Sequence, residues 1–180
     1  MKKMLIILTL TAFTLSFSFA QFTTGTKSVS SVFSYSSAKA NKDATDNVTA
    51  TVINPTGSYF VMDNIAVDVG INLSTMAYGD ETYKTTDIGF GGAYYYPMET
   101  GSVYGGAGYK MGSVTDGDDD SVKMNYLNIK AGYLYGLTEN WYFDIGLRYD
   151  MQMGKTKIGS VDGSEGATNM WFGVGLATFF

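Results

Sequence analysis

From residue 141 to residue 153 the chain alternates. Odd positions read Trp141, Phe143, Ile145, Leu147, Tyr149, Met151 and Met153, and even positions read Tyr142, Asp144, Gly146, Arg148, Asp150 and Gln152. Successive side chains of a strand point to opposite faces, so the stretch predicts a strand with one apolar face and one face of charge, amide and glycine. The same period sets Ile65, Val67, Val69, Ile71 and Leu73 against Ala66, Asp68, Gly70, Asn72 and Ser74. It sets Ile88, Phe90, Gly92, Tyr94 and Tyr96 against Asp87, Gly89, Gly91, Ala93 and Tyr95. It returns in Leu127, Ile129, Ala131, Tyr133 and Tyr135 opposite Asn128, Lys130, Gly132 and Leu134. Near the C-terminus Met170, Phe172, Val174, Leu176, Thr178 and Phe180 oppose Trp171, Gly173, Gly175, Ala177 and Phe179. Residues 102–113 carry a weaker version, with Lys110 on the polar side. Two more strands are expected at 26–36 and 48–54, where the pattern does not assign faces.

That makes eight strands, each near the roughly 9–11 residues a tilted membrane-spanning strand needs. Eight is also the smallest usual count for a closed membrane barrel. The links alternate too. Short ones are expected at 97–101 and 136–140, with a somewhat longer one at 55–64. Polar links at 37–47, 79–82, 115–121 and 154–167 would form the outer loops. Short periplasmic turns and longer outer loops are the habit of outer-membrane barrels. The reading is therefore all-β: an eight-stranded antiparallel up-and-down transmembrane β-barrel, with both chain ends on the periplasmic side.

Residue volumes suggest which face turns inward. An eight-stranded barrel has a bore only wide enough for side chains. The polar face holds Gly70, Gly89, Gly91, Gly106, Gly108, Gly132, Gly146, Gly173 and Gly175, whereas the apolar face holds Trp141, Phe143, Phe172 and Tyr94. Small residues fit the bore, so the apolar face should meet lipid. Tyr94, Tyr96, Tyr135, Trp141, Phe143 and Phe180 then lie near the short turns, where an interfacial aromatic girdle belongs. The polar face brings Asp68, Asp87, Lys110, Lys130, Asp144, Arg148 and Asp150 into the bore. Buried charges persist mainly when paired, so Arg148 and Lys130 are expected to pair with some of Asp68, Asp87, Asp144 and Asp150. The alternative is a soluble secreted lipid-binding barrel, with the apolar face inside.

The first twenty residues read as an address. Lys2 and Lys3 precede an apolar run from Met4 to Leu15, and Ser18-Phe19-Ala20 ends it with small residues where a signal peptidase reads. Such a run is too short for a membrane helix, so residues 1–20 are expected to be a cleaved signal peptide and 21–180 the barrel domain. Its removal takes Lys2 and Lys3 and turns the formal charge of −5 into −7. That balance argues against nucleic acid as a partner.

Two segments carry a family resemblance. Residues 57–67, Gly-Ser-Tyr-Phe-Val-Met-Asp-Asn-Ile-Ala-Val, resemble the turn and strand start common in small bacterial outer-membrane barrels. Phe172, Val174, Leu176 and Phe180 resemble the C-terminal signal read by the outer-membrane assembly machinery, with Thr178 less apolar than the usual pattern. The chain from residue 21 to 180 thus resembles the OmpX, OmpW and OmpA-barrel group. The resemblance implies a Gram-negative outer membrane, lipopolysaccharide and membrane lipid as surroundings, the assembly machinery as a partner, and a monomer.

The chemistry is sparse. There is no Cys and no His, so the commonest catalytic base and metal ligand are both missing. The acidic run at 116–120 lacks the spacing of an EF-hand loop. The glycine-rich pieces at 89–92 and 105–108 sit inside alternating strands and match no phosphate loop. No cofactor is expected and no enzyme activity. The expected role is structural, or surface interaction through the outer loops, around a plugged polar lumen. A narrow channel for small or apolar solutes is the alternative, and the OmpW resemblance allows it.

Overall fold

The computed structural model describes residues 22–39, 47–79, 81–115, 121–158, 161–165 and 168–180. The expected leader at 1–20 and the acidic run at 116–120 lie outside these residues. The strands are β1 (Lys27–Lys39), β2 (Asn47–Met62), β3 (Ile65–Tyr78), β4 (Glu81–Met98), β5 (Gly101–Thr115), β6 (Ser121–Gly136), β7 (Trp141–Gln152), β8 (Lys155–Ile158), β9 (Val161–Glu165) and β10 (Thr168–Phe179). Every pairing is antiparallel. Each of β1 to β6 pairs with the next, β7 pairs with β10, and β10 returns to β1, so eight strands close into a ring.

Closure is staggered. From Ser30 the paired inward residues run through Thr56, Gly70, Gly89, Lys110 and Tyr126 to Gln152 on β7. In the other direction they run through Ala177 to Tyr142, ten residues lower on the same strand. Such a stagger tilts the strands against the barrel axis. The strands are 12–18 residues long apart from β8 and β9, longer than a membrane alone requires, so the wall continues past the outer surface.

The expected architecture stands, with two corrections in the links. The segment 55–64 is not a link, because β2 runs through Pro55 to Met62 and only Asp63 and Asn64 turn the chain. Proline reads as a strand breaker because it has no N–H to give the ladder. Here the β2–β3 pairing lapses at Asn54 and Pro55, and the Asn54 side-chain amide donates to the Ile71 carbonyl at 2.9 Å instead. Asn64 takes a positive φ of 64°, a conformation that asparagine tolerates better than most residues. The second correction concerns 154–167, which carries the hairpin β8–β9. Its first strand pairs with the outer end of β6 at Val122 and Lys123.

Faces follow the expected parity. Val67, Val69, Leu73, Ile88, Phe90, Leu147 and Phe172 are exposed, and Ala66, Asp68, Asn72, Asp87 and Asp144 are buried. Trp141 is 49% exposed and Phe172 57%, where the soluble alternative needs both on the axis. An apolar surface of this extent far exceeds what a soluble monomer leaves uncovered. The two early strands now have faces as well: Val29, Phe33, Tyr35, Ile53, Tyr59 and Val61 point out, and Ser28, Val32, Val52 and Phe60 point in.

A ring with no free edge inside the membrane predicts a specific gel behaviour. Unboiled protein should migrate differently from boiled protein in sodium dodecyl sulfate, with the difference lost at the temperature where far-ultraviolet circular dichroism loses its β signal. Identical mobility before and after heating would contradict closure.

Candidate functional site: the lumen

The bore is layered. At the short-turn end sits an aromatic floor. Phe22 comes from the segment before β1 and is 3% exposed. Its ring lies 5.2 Å from those of Phe60 and Tyr95, 4.6 Å from Phe179 and 6.0 Å from Tyr142. Backbone bonds hold the segment in place: Gly25 N–H to the Phe60 carbonyl and Asn64 N–H to the Phe22 carbonyl, both at 2.8 Å. The Thr24 N–H and hydroxyl both donate to Asp63 Oδ1, at 2.9 and 3.0 Å. Aromatic pairs at such separations add roughly 0.5–1.5 kcal/mol each beyond area burial.

The expectation of a small and charged lumen is therefore incomplete. Phe22, Phe60, Tyr95, Tyr104, Leu134, Tyr142, Trp171 and Phe179 all face inward and are buried. Opposite-face parity already marked Tyr95, Leu134, Tyr142, Trp171 and Phe179, but the weight of glycine on that face hid them. Phe22 carried a fainter signal, as an apolar residue just after the expected cleavage point.

Above the floor all seven predicted charges face the bore. Six are buried, and the side chain of Lys130 is 13% exposed. Lys130 on β6 crosses the bore to the Asp68 carboxylate on β3. Lys110 on β5 reaches past β6 to Asp150 on β7 at 2.9 Å, and Asp150 also accepts from the Asn128 amide at 2.6 Å. The Tyr104 hydroxyl donates to Asp144 at 2.7 Å and accepts from Arg148 Nη1 at 3.0 Å. Arg148 and Asp144 stand 3.9 Å apart, so the phenol links them more tightly than their direct contact does. The guanidinium also lies over the rings of Tyr104 and Trp171, at 5.5 and 5.9 Å, within cation–π range.

Glycine makes this reach possible. Tyr104 on β5 passes over Gly132 on β6 to Asp144 on β7, and a Cβ on Gly132 would strike its phenol. A Cβ on Gly146 would meet the Arg148 guanidinium and, at 2.6 Å, the same hydroxyl. The pairing reaches beyond the two cations expected to take part. Arg148 and Lys130 find Asp144 and Asp68, and Lys110 takes Asp150. Among the described residues Asp87 has no cation in ion-pair contact and accepts from the Asn72 amide at 3.0 Å. A cavity of about 70 Å³ lies beside these groups, lined by Ser30, Thr56 and Ser58 on one wall and Lys110 and Lys130 on the other. A space of that size and polarity has room for several waters.

On the lipid side, Tyr94, Tyr96, Tyr135 and Trp141 are exposed near the short turns, Phe143 is half-buried, and Phe180 is exposed at the chain end. Tyr135 pairs across with Phe143, and Tyr59 on β2 extends the same belt. Phe172, Val174 and Leu176 point outward from β10. The Phe180 N–H donates to the Lys27 carbonyl at 2.9 Å, and its own carbonyl accepts from the Lys27 N–H at 2.8 Å. The last residue thereby completes the seam with β1.

With this geometry established, the likenesses are clear. The sequence matches no known family pattern and no curated protein. Solved structures do match. Neisserial surface protein A superposes with a TM-score of 0.62 at 17% identity, over 86% of this chain and 96% of that one. The outer membrane protein OprG of Pseudomonas aeruginosa gives 0.58 at 16%, over 91% and 98%. The outer membrane protein Ail of Yersinia pestis in a nanodisc gives 0.53 at 19%, over 87% and 99%. The chain has the fold of the small outer-membrane β-barrels. The barrel shares with these proteins a ring that covers nearly all of each chain, and at such identities the likeness concerns the fold.

The crossed pair predicts a non-additive result. Removing one partner of a buried ion pair costs about 3–5 kcal/mol, while replacing both with apolar groups can be close to neutral. Lys130→Met should therefore lower the urea midpoint of unfolding from phosphatidylcholine vesicles well below that of the wild type. The double variant Asp68→Leu/Lys130→Met should recover most of the loss, and additive losses would show that the pair is not a coupled unit.

Proposed function

We propose that this protein is a non-catalytic outer-membrane barrel with a closed lumen, acting as a single chain in a membrane-scaffolding or surface-contact role through its outer loops. One observation carries the reading: the bore is crossed twice, by the aromatic floor around Phe22 and by the layer of Lys130–Asp68, Lys110–Asp150 and Tyr104–Asp144–Arg148. Moving an ion through would mean separating rings packed at 4.6–6.1 Å and unpairing the buried charges of the layer above them. Purified protein in planar bilayers should then give no stable unitary current. Large, long-lived conductance steps in most insertions would overturn the proposal.

A second reading, a narrow route for small or apolar solutes, is favoured by the outer mouth. There apolar residues join the inward register: Met76, Val114, Val122 and Met124 follow the inward parity above Lys110 and Asp87, alongside Thr85 and Glu81. The Tyr126 hydroxyl donates to Met124 Sδ at 2.7 Å on the same side. Such a lining suits an apolar guest better than an ion. Liposome swelling with a small apolar solute, alongside the current recordings, separates the two readings.

The β10 terminus is proposed as the signal for the assembly machinery, with Phe172, Val174, Leu176 and Phe180 on the lipid face. Phe180→Ala should slow insertion by reconstituted assembly machinery several-fold while leaving spontaneous folding into short-chain lipid nearly unchanged. Equal slowing in both settings would make Phe180 a stability residue only.

A further inference from the structure

The floor of the bore depends on a segment that takes no part in the ring. The ladders that join β1 to β2 and to β10 begin at Lys27 and Ser28, and residues 22–25 precede both. Gly25 turns the chain at a φ of 95°, in the left-handed region that glycine occupies at no steric cost. The turn brings the segment back beneath the bore, where Phe22 is buried, instead of onward in the line of β1. The Thr26 N–H closes the turn on the Thr23 carbonyl at 3.1 Å.

Phe22 is the hub of that floor. The rings around it come from four strands: Phe60 from β2, Tyr95 from β4, Tyr142 from β7 and Phe179 from β10. By themselves they make an open chain, Tyr95 to Phe60 at 5.1 Å, Phe60 to Phe179 at 6.1 Å and Phe179 to Tyr142 at 5.0 Å. Phe22 lies within 6.0 Å of all four and fills the space they surround. Tyr95, Leu134, Ala177 and Phe179 also line the polar cavity that Asp68 and Lys130 border. The floor is therefore the barrier between that cavity and the short-turn end. What holds the segment is separate from what holds the wall. Its anchors are the Gly25 N–H on the Phe60 carbonyl, the Asn64 N–H on the Phe22 carbonyl and the two Thr24 donors on Asp63. Thr24 and Asp63 are exposed, so water replaces their bonds at small net cost. The rest of the hold is the burial of one ring.

We propose that residues 22–25 are a detachable plug: they swing about Gly25, withdraw Phe22 from the four rings and open the lower bore at the short-turn end, while the ring and the charge layer stay closed. Every strand pair of the ring survives that movement, because none includes the segment. Local openings of this kind require less free energy than unfolding of the whole. The plug deepens the closed-lumen reading on which it rests. One closure is a small, reversible element, and the other is fixed by side chains of the wall.

The chain has no cysteine, so a single introduced thiol reports on access to the floor. Ala177→Cys places it at the underside of the cavity and Ala66→Cys supplies a second position, both in the cluster that contains Phe22 and both buried. The folded full-length barrel in detergent micelles is treated with a charged, water-soluble methanethiosulfonate. Labelling should be slow when the segment is intact, and about tenfold faster or more when Phe22→Ala or Gly25→Ala is added. The glycine variant isolates the hinge, because a Cβ on Gly25 meets no atom within 4 Å and acts only through the strained φ. Both variants should keep heat-shifted gel mobility. Equal labelling rates in all backgrounds overturn the plug. So does loss of the heat shift in Gly25→Ala, which would make the segment part of the ring. Should Phe22→Ala fail to fold, Gly25→Ala with either thiol still decides. Planar-bilayer recordings keep the closed lumen separate: stable unitary current in the wild type overturns that reading, while the labelling contrast judges the plug by itself. A contrast without current supports both.

Discussion

A sheet surrounded by hydrocarbon can leave no backbone N–H or C=O unpaired, and the seam between β1 and β10 is what meets that condition here. Without it two strand edges would face lipid, each with a row of orphan polar groups. The seam runs from Phe33 with Val174 to Ser28 with Phe179, and the terminal Phe180 then exchanges both backbone bonds with Lys27. The last residues of the chain are thus those that finish the ring.

Closure with eight strands has a second consequence, a bore so narrow that opposite walls touch through side chains. Glycine on the inward face therefore does more than relieve crowding. Gly132 and Gly146 leave a trough in which Tyr104 lies, and its hydroxyl joins Asp144 to Arg148 two strands away on β7. Lys130 and Asp68 tie β6 to β3 across the axis. Neighbouring strands are held by the ladder, but these contacts join strands that the ladder does not. They act against ovalisation of the ring, while the aromatic floor does the same at the short-turn end.

The outward face answers to a different solvent in each zone. Aliphatic and aromatic residues occupy the band that meets acyl chains, tyrosines and Trp141 gather where the band ends, and lysines appear beyond it. Polarity is thus sorted twice, by parity between bore and lipid, and by height between hydrocarbon and headgroup.

How much of this was legible beforehand depends on whether a property is local. Parity is local, because neighbouring side chains of a strand must point apart. Ile65 to Leu73 or Trp141 to Met153 therefore displayed their faces in the residue order alone, and with them the strand count, the all-β class and the inward position of all seven charges. Pro55 misled because its missing N–H is a local fact whose remedy, the Asn54 amide on Ile71, comes from the neighbouring strand. The serine-rich β1 hid its faces because a small polar residue is tolerated on either side, and only its pairing with β2 and β10 set them. Which charge meets which was not local at all. The stagger of ten residues around the ring brings Lys110 to Asp150 and Lys130 to Asp68, and leaves Asp87 to an amide. Phe22 likewise became part of the floor only once the ring existed to be closed beneath it. Residue order determined which side of each strand is greasy, and tertiary closure decided which groups share the space inside, since contact across a bore depends on tilt and register summed over every strand.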